Sequence, residues 1–327
     1  MDGMDIDGFP GWTTLNPKYS HKDARRSMPL KNDILRTLLY YEIWSHPLTS
    51  RELFAFLPVN SMTFEEFHAR LNEYVAGEHI CEHGGYYFIK GEEARIVVER
   101  EQRARRARRM WGMARLITHV IKRCPFVRGV FVSGELSKNV AQRNSDIDFS
   151  IITELNRLWI ARMLLTLFKK TILFNNKKFF CLNFFATTDH LRVDEENIYT
   201  AMEVATTKPL FNSGLFLRYL EANTWIRSYF PNFNLRLLDV PAHNDRPSRV
   251  QRLLELPFRF FNATALDEYC MRTMEAVWAK RYPMFDEVTR KRIFRCTRTE
   301  SRAYAGNFQD AVLLLYQRRL KECGLTG

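Results

Sequence analysis

Phe126–Thr153 reads FVRGVFVSGELSKNVAQRNSDIDFSIIT, and the rest of the chain is organised around it. The apolar run Val130 to Val132 predicts a buried strand. Ser133-Gly134 is a small-residue turn, Leu136 to Asn144 is a polar segment of helical length, and Ser145-Asp146-Ile147-Asp148-Phe149-Ser150-Ile151-Ile152 opens a second strand. Two aspartates separated by one apolar residue point to the same side of an extended chain. Strands are depleted in Asp and neighbouring like charges repel, so such a pair calls for a cation between them.

Upstream, residues 1–30 mix Gly, Pro, Asp and basic residues without period and read as a mobile tail. From Lys31 the spacing of Ile34, Leu35, Leu38, Leu39 and Ile43 predicts a helix that stops near Ser45-His46-Pro47. Thr49-Ser50-Arg51-Glu52 opens a short helix with Leu53, Phe54 and Leu57 inward. Thr63 and Glu66 form a capping box for a third helix, which Gly77 ends. His79–Glu82 and Tyr86–Ile89 flank Gly84-Gly85 as a hairpin. Three helices and a hairpin over 31–90 predict a winged helix-turn-helix. Its third helix carries Glu65, Glu66 and Glu73 against Arg70 alone, a poor surface for a DNA groove. Glu92 to Arg123 then reads as one long helix with an arginine-dense middle, read first as a solvated face and second as a phosphate contact.

Downstream, Arg157–Lys170 is a predicted helix, Lys177–Ala186 a strand rich in aromatics, and Ile198–Ala205 and Phe216–Ser228 helices. Residues 239–249 carry two prolines and read as a linker. Residues 250–327 read as helical, broken at Pro257.

At 327 residues the chain can bury a proper core in two or three small domains. Its net charge of +12 suggests a polyanionic partner. The excess sits in Gly91–Val127, with ten Lys/Arg against four Glu, and in Arg246–Gly327, with sixteen Lys/Arg against nine acids. Six scattered cysteines fit reduced thiols, and no apolar run approaches the roughly 18 residues of a membrane span. A cytoplasmic protein with no membrane partner is expected.

Strand, Gly134, spacer and Asp146-Ile147-Asp148 together resemble the motif of the polymerase-beta-type nucleotidyltransferases, and the N-terminal winged helix resembles that of some bacterial members. The likeness spans roughly 92–229, and its specific part is Val132–Ile152. It implies an α+β fold: a nucleotidyltransferase-type mixed sheet flanked by helices over 91–238, between the winged helix and the C-terminal helical region. It also implies a magnesium site at Asp146 and Asp148, with manganese as the alternative ion. There an acceptor hydroxyl attacks the α-phosphorus of a nucleoside triphosphate and displaces pyrophosphate. The acceptor can be nucleic acid, protein or a small molecule.

The residues themselves fit that chemistry. Backbone N–H groups at Ser133-Gly134 can face a phosphate tail, Asp146 and Asp148 offer hard oxygen donors, and Ser137 and Lys138 can donate to phosphate oxygens, with Arg143 or Asn144 as alternatives. Two positions depart from the family. Glu135 places an anion where the phosphate tail belongs, and the later strand offers Cys181 and Asn183 where a third acid is expected. Asp189, Asp194 and Glu203 are the substitutes, with a structural ion pair as the ordinary role of Glu203. The other reading of the chain is a catalytically degenerate nucleotide- or nucleic-acid-binding regulatory module. For Asp146 and Asp148 alone, the plainer alternative is a strand-end turn whose acids cap a helix or meet an arginine.

Overall fold

A computed structural model describes residues 30–59, 62–75, 79–91, 95–172, 178–234, 247–260, 262–302 and 308–325. The expectations for the tail at 1–29, for the helix stop at Gly77 and for most of the linker at 239–249 lie outside the described residues. The described chain is mixed α and β, with two sheets.

The N-terminal elements follow from local signals. α1 (Leu30–Glu42) buries Ile34, Leu38 and Leu39 along one stripe and ends where Ser45 turns left-handed (φ 44°) before Pro47. After β1 (Leu48–Thr49), α2 (Ser50–Ala55) starts with a reciprocal cap. The Thr49 hydroxyl accepts from Glu52 N at 3.3 Å, and the Glu52 carboxylate accepts from Thr49 N at 2.9 Å. The same device at Thr63 and Glu66 opens α3 (Phe64–Val75). β2 (Ile80–His83) and β3 (Tyr86–Ile89) are joined by Gly84 and Gly85 at φ 60° and 80°, the left-handed pair that a two-residue hairpin turn requires. The three strands form an antiparallel sheet in the order β1-β3-β2.

α4 (Arg95–Ile121) carries the arginine run, and its members divide. Arg100 is buried and bonds Glu52 at 3.0 Å, and Arg103 donates to the carbonyls of Trp44 and Ser45. These two fasten the N-terminal elements to α4, while Arg105, Arg108 and Arg109 stay exposed as a solvated face.

The larger sheet begins with β4 (Val127–Ser133), followed by α5 (Gly134–Ser137), β5 (Asp148–Thr153), α6 (Leu158–Thr171), β6 (Cys181–Thr187), α7 (Ile198–Thr206), β7 (Lys208–Phe211) and α8 (Ser213–Ala222). After α9 (Arg249–Glu255), the chain breaks at Pro257 as expected. It continues through α10 (Ala263–Arg281), α11 (Glu287–Ile293), β8 (Glu300–Arg302) and α12 (Phe308–Glu322). The strand order is β7-β4-β5-β6-β8; β5 and β6 are parallel and the other pairs antiparallel. The parallel pair needs a crossover, and α6 provides it.

Both faces of this sheet are covered. Phe131, Ile152 and Ala186 pack toward α1, α7 and α8, whereas Val130, Val132, Phe149, Ile151 and Phe185 pack toward α4, α6 and α10. Two-sided burial explains why Val130–Val132 of β4 and Ile151-Ile152 of β5 are apolar at consecutive positions.

Three sequence expectations are corrected, and one strand is added. The polar segment at Leu136–Asn144 is not a helix: α5 stops at Ser137, and Asn139 takes a left-handed φ of 56°. The aromatic strand starts at Cys181 rather than Lys177. Lys208–Phe211, for which no element is expected from the sequence, is a strand, and it tolerates Pro209 because it lies at the sheet edge. The C-terminal region is not wholly helical, since Glu300–Arg302 pairs with β6.

The C-terminal segment also braces the sheet at its start. The Gln251 amide donates to the carbonyls of Cys124 and Val127, and Glu255 accepts from Phe126 N at 2.7 Å and from Arg128 at 2.9 Å. Asp267 accepts from the amides of Trp159 and Ile160 at 2.8 and 2.9 Å, capping the start of α6 from another helix. All six cysteines are unpaired. Among the described residues no helix is long and apolar enough to cross a membrane.

Because Glu52 is the acid that meets the buried Arg100, Glu52→Ala strands a cation and removes a cap at once. The expected loss is about 2–4 kcal/mol in urea unfolding, with much of it recovered in the double variant Glu52→Ala, Arg100→Met.

Candidate active site

β4 delivers Ser133 and Gly134 to one end of the sheet beside the start of β5, where Ser133 lies opposite Asp148 in register. Gly134 has φ +70°, and a Cβ there would lie 2.3 Å from Asp148 Oδ2. Glycine is therefore required twice, by the backbone angle and by the carboxylate packed on its Cα.

Asp146 precedes the strand, and Ile147 between the two aspartates is fully buried. Ile147 is anchored through its backbone, accepting from Cys181 N at 3.2 Å and donating to the Lys178 carbonyl at 2.9 Å. With Ile147 turned into the core, the alternation of an extended chain places both flanking carboxylates on the other side.

Asp148 is enclosed by β6 and α7. The Asn183 amide donates to its Oδ1 at 2.5 Å, and the Cys181 thiol donates to Asn183 Oδ1 at 3.1 Å. Burial, then the charges of Glu203 and Asp146, push the Asp148 carboxyl up to about 7, against the pull of Cys181 and Lys138. Burial and the Asp148 charge push the Cys181 thiol up to about 12, which removes it as a nucleophile at neutral pH.

Of the three substitutes for a third acid, the fold brings only Glu203 to this place. Its carboxylate accepts from Lys138 Nζ at 2.7 Å and, more weakly, from Gly134 N at 3.4 Å. Asp189 is exposed, and Asp194 is paired with Arg295 and His190. Among the described residues the trio whose ligating atoms lie within 4.8 Å of one another is His190, Asp194 and Glu300. Arg295 bonds both of its acids and Arg302 bonds Glu300, so it reads as an ion-pair network that fastens β8. Asp146, Asp148 and Glu203 do not close into such a set. Asp146 and Asp148 remain the hard-oxygen pair at the cavity.

The other residues of the turn are placed as follows. Ser137 does not face a ligand: it is buried, and its hydroxyl donates to the Gly134 carbonyl at 2.8 Å, because a side chain in a four-residue turn reaches its own backbone first. Lys138 also donates to that carbonyl, at 3.2 Å. Glu135, expected to place an anion beside a phosphate tail, does line the cavity and is also a clasp. Its carboxylate accepts from Gln142 Nε2 at 2.9 Å and from the Ser145 hydroxyl, holding the loop that carries the chain to Asp146. Ser133 Oγ accepts from Ser150 Oγ at 3.3 Å.

These groups open on a cavity of about 1130 Å³, whose walls include Ser133, Gly134, Lys138, Asp146, Asp148 and Glu203. The volume suits a nucleotide-sized ligand. The cavity lining also includes Arg162 of α6, which sequence reading passed over. The signal was the same as for Glu203: a lone charge inside an apolar helical run, here WIARMLL. No family model matches the chain, and no curated protein or solved structure is detectably similar to it. What the site can do therefore follows from its geometry.

Two outcomes are expected. Gly134→Ala forces Asp148 away and strains the turn, destabilising the fold by about 2–4 kcal/mol in chemical unfolding. Asp148 titrates near 7 in the folded chain against an ordinary value of 3.8, so its protonated form favours folding. That contribution is complete below about pH 4 and is lost as pH rises through 7. In metal-free buffer Asp148→Asn should melt above the wild type at pH 8, with the two curves converging toward pH 4.

Proposed function

We propose that the chain is a magnesium-dependent nucleotidyltransferase that moves a nucleoside monophosphate from a triphosphate to a hydroxyl acceptor. One observation carries this reading: the Asp148 carboxylate lies against the Cα of Gly134, with its pKa raised by burial and then by the charges of Glu203 and Asp146, at the wall of a nucleotide-sized cavity. A half-buried acid whose protonated form burial and neighbouring carboxylates favour stands in need of a cation. Magnesium is characteristically held by one or two carboxylates together with substrate phosphates, which the pair Asp146 and Asp148 suits. When bound, the ion supplies neutralisation of the phosphates and activation of the attacking hydroxyl.

The chain's own groups do the rest. Glu203 takes the place of the acid that β6 lacks, and Lys138 balances it at the wall. Asn183 fixes the Asp148 carboxylate by holding Oδ1. The order helix, strand, helix, helix, hairpin supports a winged helix, and its acidic third helix supports a role in packing or acceptor selection rather than in reading DNA. The unpaired cysteines support a cytoplasmic setting.

A regulatory nucleotide-binding module on the same scaffold is favoured by one observation: the turn's donors, Gly134 N and Lys138 Nζ, are both directed to Glu203. Incubation with Mg2+ or Mn2+, each labelled triphosphate and a panel of RNA, protein and small hydroxyl acceptors separates the two. Transfer with pyrophosphate release, reduced by about 10³-fold or more in Asp148→Asn, is expected. Tight metal-dependent nucleotide binding without release would favour the module, and absence of both would overturn both readings.

A further inference from the structure

The cavity has a second charged wall, which the acids do not use. Arg162 sits in α6 at 4% exposure, with its guanidinium between two aromatic rings, 4.7 Å from the centroid of Phe185 and 5.2 Å from that of Trp278. Its Nη2 donates to the Leu182 carbonyl at 3.2 Å, while Nε and Nη1 have no partner. Among the described residues no carboxylate forms an ion pair with it. Burial lowers its pKa to about 10, and the opposing influences are the thiols of Cys296 and Cys181. At neutral pH it is a cation all the same.

A buried, charged donor without an acceptor is costly, and native folds keep such groups where a ligand completes them. The surroundings say which ligand. Around Arg162 the cavity is lined by Thr166, Lys169 and Lys170 of α6 and by Arg281 of α10, and neither helix contributes an acid to the lining among the described residues. Asp146, Asp148 and Cys181 line the same cavity, and Cys181 interacts electrostatically with both Arg162 and Asp148. A cationic wall and a candidate metal-binding acid pair in one cavity are together complementary to a polyphosphate with a bound cation. The Gly134 turn is less suited to that task, because its own donors are directed to Glu203.

We propose that Arg162 anchors a phosphoryl-binding subsite on the α6–α10 wall, and that the polyphosphate tail of the nucleotide runs from Asp148 past Cys181 toward it. The site's occupant as a nucleotide rests on the function proposed above; the affinity for phosphoryl oxygens does not. Stacking between Phe185 and Trp278 covers the two faces of the guanidinium and leaves its edge for hydrogen bonding. Lys169, Lys170 and Arg281 extend the same charge toward solvent.

Calorimetric titration of the full chain with pyrophosphate, orthophosphate and magnesium-loaded triphosphate, in wild type and variants, tests this. Pyrophosphate is expected to bind the wild type in metal-free buffer. Arg162→Met should weaken that affinity about tenfold or more, the loss of one charge-assisted hydrogen bond, without a matching change in the circular dichroism spectrum. Arg162→Lys should recover part of it. Should Arg162→Met fail to fold, Lys170→Ala on the exposed rim gives the second reading, with an expected loss of about threefold. No pyrophosphate binding in the wild type, or unchanged affinity in either folded variant, overturns the subsite. Orthophosphate binding as tightly as pyrophosphate, with no competition by the triphosphate, overturns its assignment to a nucleotide tail. Arg162-dependent pyrophosphate binding without turnover of any triphosphate leaves the subsite standing while the transferase reading falls. Turnover and pyrophosphate affinity that are both indifferent to Arg162→Met do the reverse.

Discussion

The contact between the Asp148 carboxylate and the Cα of Gly134 is the constraint on which the rest of the site depends. It exists because β4 and β5 are neighbours in register, so the last residue of one strand faces the first of the next. A side chain of any size at position 134 would occupy the space of the carboxylate. The same closeness keeps Asp148 out of water and beside two other acids, and its raised pKa is the electrostatic consequence.

The supports of that contact come from far along the chain. Asn183 and Cys181 reach Asp148 from β6, and Glu203 and Lys138 meet across the turn. Behind them the sheet is closed on both faces by helices, so its strand ends are the place where polar groups can gather around a cavity. The C-terminal segment serves the same scaffold. Asp267 fixes the start of α6, Gln251 and Glu255 fix the start of β4, and β8 covers the edge of β6. A single arginine on α6 is thereby held in the same cavity as the acids, between rings from a strand and a distant helix.

Signals confined to a few residues were legible in the sequence. The capping boxes at Thr49 and Thr63, the Gly84-Gly85 turn, the break at Pro257 and the strand, glycine and paired-aspartate order of the opening stretch each depend on neighbours within about one turn. Misreadings arose where the local signal was ambiguous. A polar segment of helical length became a loop because Glu135 bonds Gln142 and Ser145. Lys208–Phe211 is a short strand with a proline, which carries no strand signal and is tolerated because it lies at the sheet edge. Glu300–Arg302 is too short to show any period at all.

By itself, then, the sequence determined where the glycine turn and the two aspartates fall and which segments are buried on both sides, because backbone preference and apolar spacing are properties of consecutive residues. Only the tertiary structure decided which distant side chains meet there. Glu203 rather than Asp189 or Asp194 joins the site across 69 positions of chain, Ser137 is spent on its own turn, and Arg162 lines the same cavity with two buried donors unpartnered. Those outcomes follow from strand order and helix packing, which join residues by distance in space and leave no mark on the spacing of letters.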